Sequence, residues 1–316
     1  MSPPARPVEN VYLGTSEFAA SVLRTLAGAH PPALVVTPPD RRSGRGRRVN
    51  PPPAAEAARE LGIDLHQTAS VNDPESVAAV LAAGPELGCV CAFGQLIGEP
   101  LITDLPMLNL HPSLLPRWRG AAPIERAIMA GDERTGSCVM RLTAGLDSGP
   151  VALRGELAIG SAEDYGSLAG RLAELGGRML VEALDRQSGG DLSFVEQSAE
   201  GVTYAEKIEA AERRVDPGRG AAEEGHRIRA LSPHIGAFVE LEDGTRLGVR
   251  SPLVHSGRAG PRTGCFAADE GRLLLGFVAG GLELGEVQPP GGRWMAAADY
   301  LRGRGVPGRA SSPAPK

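Results

Sequence analysis

Two residues capable of chemistry stand two apart on one apolar run, Asn109 and His111 in Met107-Leu108-Asn109-Leu110-His111. Side chains two apart on a strand leave the same face, and Pro112 stops the strand directly after the pair. An amide donor beside an imidazole at a strand's carboxyl end suits stabilising an oxyanion while managing a proton. The stretch 113–120 then reads as a proline-containing loop able to wall a ligand pocket. Asp147 lies in the turn Leu146-Asp147-Ser148-Gly149-Pro150, after the apolar run 137–142. A carboxylate close to His111 would hold the ring and keep it cationic as a donor. Taken singly, each residue also fits a structural role, as a satisfied strand-end histidine or a turn-forming aspartate.

The elements that must position these residues are legible in the first half. Residues 8–13 read as a strand ending at Gly14. Phe18, Val22, Leu23 and Leu26 then mark one helical face. Strands are expected at 33–37, 87–92 and 107–110, and a helix at 54–61 ended by Gly62. This βαβα rhythm predicts a Rossmann-like parallel sheet with helices on both faces, which binds ligands at the carboxyl ends of its strands. Ser161 and Asp164 suggest a capping box opening a long helix. It should stop at Ser188-Gly189-Gly190, so the first domain is expected to span 1–190 and a linker 191–202. Residues 203–316 change character. A helix or two over 206–230 precedes short strands, with turn signals at Asp243-Gly244 and Gly280-Gly281. A small antiparallel OB-like β-barrel is the expected second domain, with a disordered tail at 309–316.

Composition bounds the function. The 316 residues carry a net charge of −5, and aromatics make up 4%, which argues against a wholly aromatic single-strand platform. Residues 203–316 carry a net +2 and the remainder −7, so partner binding by the second domain is only mildly favoured. Four cysteines make no disulfide framework at this length. Cys89 and Cys91 share a strand face and read as small core residues. No CxxC or HxxxH pair offers a zinc ligand set, so no metal is expected. No signal-peptide h-region or bilayer-length apolar run is visible, and a reduced, cytoplasmic protein without membrane contact is expected.

The ordered run Asn109-x-His111-Pro112-Ser113-Leu114-Leu115-Pro116, with the distal Leu146-Asp147-Ser148-Gly149, resembles the methionyl-tRNA formyltransferase family. That family belongs to the formyltransferases that use 10-formyltetrahydrofolate. Leu13-Gly14-Thr15-Ser16-Glu17-Phe18-Ala19 resembles its first strand–helix junction, and Val202-Thr203-Tyr204-Ala205-Glu206-Lys207-Ile208 its interdomain segment. Ile228-Arg229-Ala230 and Val287-Gln288-Pro289 resemble landmarks of its C-terminal domain. The resemblance implies Asn109, His111 and Asp147 as catalytic residues. It also implies 10-formyltetrahydrofolate as co-substrate, bound by Phe93, Gly94 and Leu96 of Cys91-Ala92-Phe93-Gly94-Gln95-Leu96-Ile97 and by Ser113, Leu114, Leu115 and Pro116. Trp118 stands where the family usually has Tyr, Ser148 where Thr is usual, and Pro217 where Trp is usual. The first two remove no acid, base or oxyanion donor, and the third bears on one contact of the C-terminal domain.

Relatives with the same three polar residues act on different amines, so the triad identifies the formyl donor better than the acceptor. The discriminating feature is the basic loop 41–48, with five arginines in eight residues. A charge run of this kind is ordinarily a solvated loop, but this one leaves the carboxyl end of a sheet strand. Pro39-Asp40-Arg41-Arg42-Ser43-Gly44-Arg45-Gly46 also resembles the insertion by which tRNA-specific members grip the acceptor stem. The resemblance implies initiator methionyl-tRNA as partner, contacted by Arg42 and Arg45 through phosphates and nearby bases, with a monomeric enzyme. The OB-like domain would hold the inside of the tRNA's bend. The rival readings are a formyltransferase acting on a nucleotide-linked amino sugar, a formyltetrahydrofolate hydrolase, and a tRNA-binding protein without catalysis.

Overall fold

The computed structural model describes residues 6–43, 48–254 and 261–312. Its contacts cluster into two units that interleave along the chain. The first comprises Met1–Pro123, Thr135–Leu157 and Ala169–Ala205, and the second Ile124–Arg134, Ala158–Leu168 and Glu206–Lys316.

The first unit is built on a seven-stranded sheet. Its spatial order is Val151–Ala158, Arg134–Arg141, Met107–His111, Leu87–Cys91, Asn10–Gly14, Leu34–Thr37, Leu65–Gln67. From Met107–His111 to Leu65–Gln67 every neighbour is parallel. Arg134–Arg141 runs antiparallel to Met107–His111, so the sheet is mixed at that edge and not parallel throughout. The order reverses between Asn10–Gly14 and Leu87–Cys91, the point at which open parallel sheets bind ligands at the carboxyl ends of their strands. These two strands and Met107–His111 are buried along their whole length, consistent with layers on both faces.

The helices form where the sequence supplies both an apolar stripe and a start signal. Ser16 caps Glu17–Ala27 by accepting the Ala19 N–H, and that helix buries Phe18, Ala19, Val22, Leu23 and Leu26. Each fully buried Leu or Val contributes roughly 1.5–3 kcal/mol. Pro53 opens Pro53–Leu61 and Gly62, at φ 68°, ends it. The long helix runs Tyr165–Gly189. Its start differs from the expected Ser161 cap. Asp164 accepts the Ser167 N–H at 2.9 Å, and a carboxylate also complements the positive end of the helix.

The segment 191–202, expected as a linker, packs onto the first unit. Val195 pairs antiparallel with Val151, and Tyr204–Ala205 pairs in parallel with Arg119–Gly120. Backbone groups that a free linker would leave to water are satisfied here within the first unit.

The second unit carries an antiparallel sheet in the order Ala237–Glu240, Arg246–Val254, Gly281–Gln288, Arg272–Gly276, Phe266–Asp269, with Met295–Ala296 added to Gly281–Gln288. Both anticipated turns are present, at Gly244 (φ 79°) and Gly280 (φ 87°). The helices Ala221–Leu231 and Ala297–Arg304 belong to the same unit, whose core includes Ile228, Val239, Val249, Leu273, Leu282 and Val287. The expected disordered tail is corrected for residues 309–312. Ala310 is buried and donates to the Gly264 carbonyl, and Ser311 donates to that of Glu240. The pairing of 310 with Leu241 extends the sheet, and that gain opposes the entropy that would otherwise free the end.

Candidate active site

Asn109 and His111 close the strand Met107–His111, held between Leu87–Cys91 and Arg134–Arg141. Both are buried. Pro112 ends the strand because it has no N–H for the ladder. The chain then folds back on itself. Ser113 Oγ donates to the Arg117 carbonyl at 2.7 Å, and the Arg117 N–H donates to the Leu114 carbonyl. This return brings the Trp118 carbonyl to 2.8 Å from His111 Nε2. A carbonyl can only accept, so Nε2 carries the hydrogen and Nδ1 is the ring atom left for chemistry. Trp118 sits at φ 63°, and its N–H is held by Thr203 Oγ1 at 2.9 Å.

Asp147 faces that nitrogen from another loop. Its Oδ2 lies 3.7 Å from His111 Nδ1 and accepts the Gly120 N–H at 2.9 Å, while Oδ1 accepts from Asn109 Nδ2 at 3.2 Å. The three expected catalytic side chains are therefore gathered around one carboxylate. The expected division of labour is corrected in one respect. The 3.7 Å separation is an ion-pair distance and not a hydrogen bond, so the direct hold on the ring is the Trp118 carbonyl. Gly120 is required here for space as well as for φ 117°, since a Cβ would meet the Ala205 carbonyl oxygen at 2.9 Å. Asp147 itself adopts φ 42°, a left-handed conformation that needs support from its surroundings.

The expected folate-binding residues divide into two groups. Cys91 pairs with Leu110, so Ala92-Phe93-Gly94 leaves its strand beside His111. The Phe93 ring is buried in the sheet core with Val11, Val36 and Val90, and its carbonyl accepts from Thr15 Oγ1. Leu115 is likewise buried, with Cys138, Met140 and Val151, and the Ser113 hydroxyl is spent on Arg117. All three side chains are therefore buried. Gly94 and Leu96 are exposed, and Leu114 and Pro116 are half-buried. Gln95 fixes the 93–96 turn by accepting the Val71 N–H and donating to the Thr68 carbonyl.

The basic loop begins as a two-stranded hairpin, Arg41–Ser43 against Arg48–Asn50, with Arg42 opposite Val49. Its root is tied down where Gln67 donates to Asp40 Oδ1 and to the Pro38 carbonyl. Arg45 lies outside the described residues.

Sequence reasoning missed Gln197, Arg119 and Thr203 as neighbours of the site. Gln197 Nε2 donates to the carbonyls of Asp147 and Gly149, both at 2.8 Å, and its Oε1 accepts from Arg119. No local pattern announces such contacts across 48 to 85 residues. Burial pushes the thiols of Cys89 and Cys91 up, that of Cys91 to about 12, so neither is a nucleophile at neutral pH. Among the described residues no His, Cys, Asp and Glu group of three or more could hold a metal.

Comparison with known proteins fits this geometry. Residues 10–184 match the formyl transferase family, and residues 207–305 match the formyl transferase C-terminal domain. The chain belongs to the formyl transferase family. Similar curated formyl transferases include the methionyl-tRNA formyltransferase of Dechloromonas aromatica, 40% identical over 93% of this chain and 95% of that protein. That of Mesorhizobium japonicum is 42% identical over 94% and 96%. Among solved structures, HypX from Aquifex aeolicus in complex with tetrahydrofolic acid aligns with TM-score 0.66 at 17% identity, covering 98% of this chain and 50% of that one. The N-formyltransferase from Helicobacter canadensis, in complex with folinic acid and dTDP-3-aminofucose, aligns with TM-score 0.62 at 12% identity, covering 88% and 98%. At these identities the structural likeness speaks to the formyl transferase fold alone. Trp118, where the family usually has Tyr, contributes its backbone to the site while its ring lies 4.4 Å below the Arg117 guanidinium.

Proposed function

We propose that the chain transfers the formyl group of 10-formyltetrahydrofolate to the α-amino group of initiator methionyl-tRNA, giving the N-formylmethionyl-tRNA used to begin translation. One observation carries the reading. Asn109, His111 and Asp147 converge at the carboxyl end of a sheet strand, in a chain 40% identical along nearly its whole length to a methionyl-tRNA formyltransferase.

The residues divide the work as follows. The amine attacks the formyl carbon, a C–N bond forms, and the carbonyl oxygen takes up negative charge. Asn109 Nδ2 has two hydrogens, one of which is on Asp147, and the other is available to that oxygen. His111 Nδ1 faces the Asp147 carboxylate at 3.7 Å, and its protonated ring offers an Nδ1–H to the same carbonyl oxygen. Asp147 accepts the proton shed by the attacking nitrogen, directly or through water. The bond from carbon to N10 then breaks, and N10 leaves with the electron pair and takes a proton. No step requires a metal.

Gly94, Leu96, Leu114 and Pro116 would meet the folate, backed by Phe93, Ser113 and Leu115. Arg42 and Arg45 would contact the tRNA, and the hairpin strand that carries Arg42 follows Leu34–Thr37 in the chain. The same reading makes the protein a cytoplasmic monomer, organised as a catalytic domain over 1–190 and a tRNA-binding domain over 203–316. No helix among the described residues is long and apolar enough to cross a membrane.

The test offers purified protein 10-formyltetrahydrofolate with charged initiator methionyl-tRNA. Parallel reactions contain elongator methionyl-tRNA, uncharged tRNA, a nucleotide-linked amino sugar, or water alone. Formylation of charged initiator tRNA above all other acceptors is expected. Preferred formylation of the amino sugar, or release of formate with water alone, would replace this reading with one of its rivals.

A further inference from the structure

The reaction centre depends on a carboxylate carried by a loop, and the structure shows what holds that loop. Asp147 adopts φ 42°, which a non-glycine residue takes only when its surroundings compensate. Two residues on, a Cβ at Gly149 would lie 2.0 Å from the Arg141 carbonyl oxygen, so the turn is pressed against the strand Arg134–Arg141. The carbonyls of Asp147 and Gly149 both accept from one donor group, Gln197 Nε2, at 2.8 Å each. The amide of Gln197 is in turn oriented by Arg119, whose Nε and Nη2 reach its Oε1 at 3.1 and 2.8 Å. Arg119 precedes Gly120, whose N–H holds Asp147 Oδ2.

We propose that Gln197 is a positioning residue, which with Arg119 clamps the 147–149 turn so that the Asp147 carboxylate stays within reach of Asn109 and His111. The proposal rests on the reading of those three residues as the formyl-transfer site. Two of the amide's capacities are used for opposite tasks. The nitrogen closes the turn, and the oxygen reports the position of Arg119, the residue adjoining the second anchor of the same carboxylate. A glutamine suits this because its fixed amide presents donor and acceptor at opposite ends, and a guanidinium selects which end faces which partner. Only a donor can satisfy both carbonyls, so a carboxylate at 197 would keep Arg119 and lose the turn. The clamp sits outside the three catalytic side chains and acts on substrate only through Asp147. Misplacing a reacting group by about 1 Å can cost on the order of 10²-fold in rate.

The experiment is a double-mutant cycle with formyl transfer to methionyl-tRNA as readout, single-turnover where rates are low. Asp147→Asn is measured first, and an undiminished rate for it would overturn the site assignment itself. With that variant impaired, Gln197→Leu is expected to lower kcat by about 10- to 100-fold while leaving the KM for the folate donor within about twofold. In the Asp147→Asn background the same change should cost less than about twofold, because the group it positions is already gone. Gln197→Glu, which retains an oxygen for Arg119, should be as impaired as the leucine variant, and it supplies the cycle if Gln197→Leu does not fold. Equal losses in the two backgrounds, or full activity in Gln197→Glu, would overturn the proposal while leaving the Asp147 assignment intact.

Discussion

The Nε2 nitrogen of His111 lies 2.8 Å from the carbonyl oxygen of Trp118. The contact commits one ring nitrogen to a backbone acceptor, leaving the other to face Asp147. His111→Ala should therefore lower formyl transfer by ~10²–10³. His111→Asn, whose amide reaches the Nδ1 position, should retain more turnover than His111→Gln, whose amide reaches the Nε2 position. Side-by-side kcat measurements decide it, and the reverse order would mean that Nε2 is the working atom.

On the proposed reading Asn109 would supply the second donor to the developing oxyanion. Asn109→Ala should cost ~10²–10³ in kcat with little change in the KM for the folate donor, because the charge it stabilises exists only after attack. A variant that instead raises KM at constant kcat would show Asn109 to be a ground-state binding group.

The conformation of Trp118 makes a separate prediction. At φ 63° the backbone suits glycine and strains β-branched residues. Trp118→Gly should keep the carbonyl on His111 and retain more activity than Trp118→Val. Thr203→Val removes the acceptor of the Trp118 N–H, at a cost of about 1 kcal/mol. Thermal denaturation and kcat, measured on all three variants, check the order, and equal loss in the Gly and Val variants would refute it.

Arg45 is expected to act on phosphate. Arg45→Ala should weaken use of methionyl-tRNA without altering the KM for the folate donor. It should also reduce the slope of log affinity against log salt by about 1. An unchanged slope in filter-binding titrations would remove Arg45 from the tRNA interface.

Glu224, fully buried on Ala221–Leu231, gives a pH signature. Burial pushes its carboxyl up to about 7, against the opposing pull of Arg227 and the Asp216 N–H. The folded state thus binds this proton more tightly than the unfolded chain. Its contribution is complete below about pH 4.5, falls as pH rises toward 7, and then levels off, a change of up to about 3 kcal/mol. Glu224→Gln should gain stability relative to the parent protein between about pH 5 and 8 in urea melts. A pH-independent difference would show that the carboxyl is not held in its acid form.

Much of the architecture was legible because its signals are local. The runs at 87–91 and 107–111 are apolar and buried on both faces, and Gly62 marks a helix end directly after the helix it closes. The antiparallel edge was not legible, because residues 134–141 carry nothing that states which way they run beside Met107–His111. The start of the long helix was misread by three residues because Ser161 and Asp164 both offer a capping oxygen and only the folded chain chooses between them.

The amino-acid order alone determined which side chains have the chemistry, since the spacing of Asn109 and His111 is set by strand geometry and the Asp147 turn by its neighbours. Tertiary structure decided how they are used. The partner of His111 Nε2 is a backbone carbonyl that any residue at 118 would possess, and the support of Asp147 comes from Gln197, fifty residues away in a segment whose composition reads as a linker. Hydrogen bonds to main-chain atoms across long separations leave no trace in residue type or periodicity, so they become visible only when the chain closes on itself.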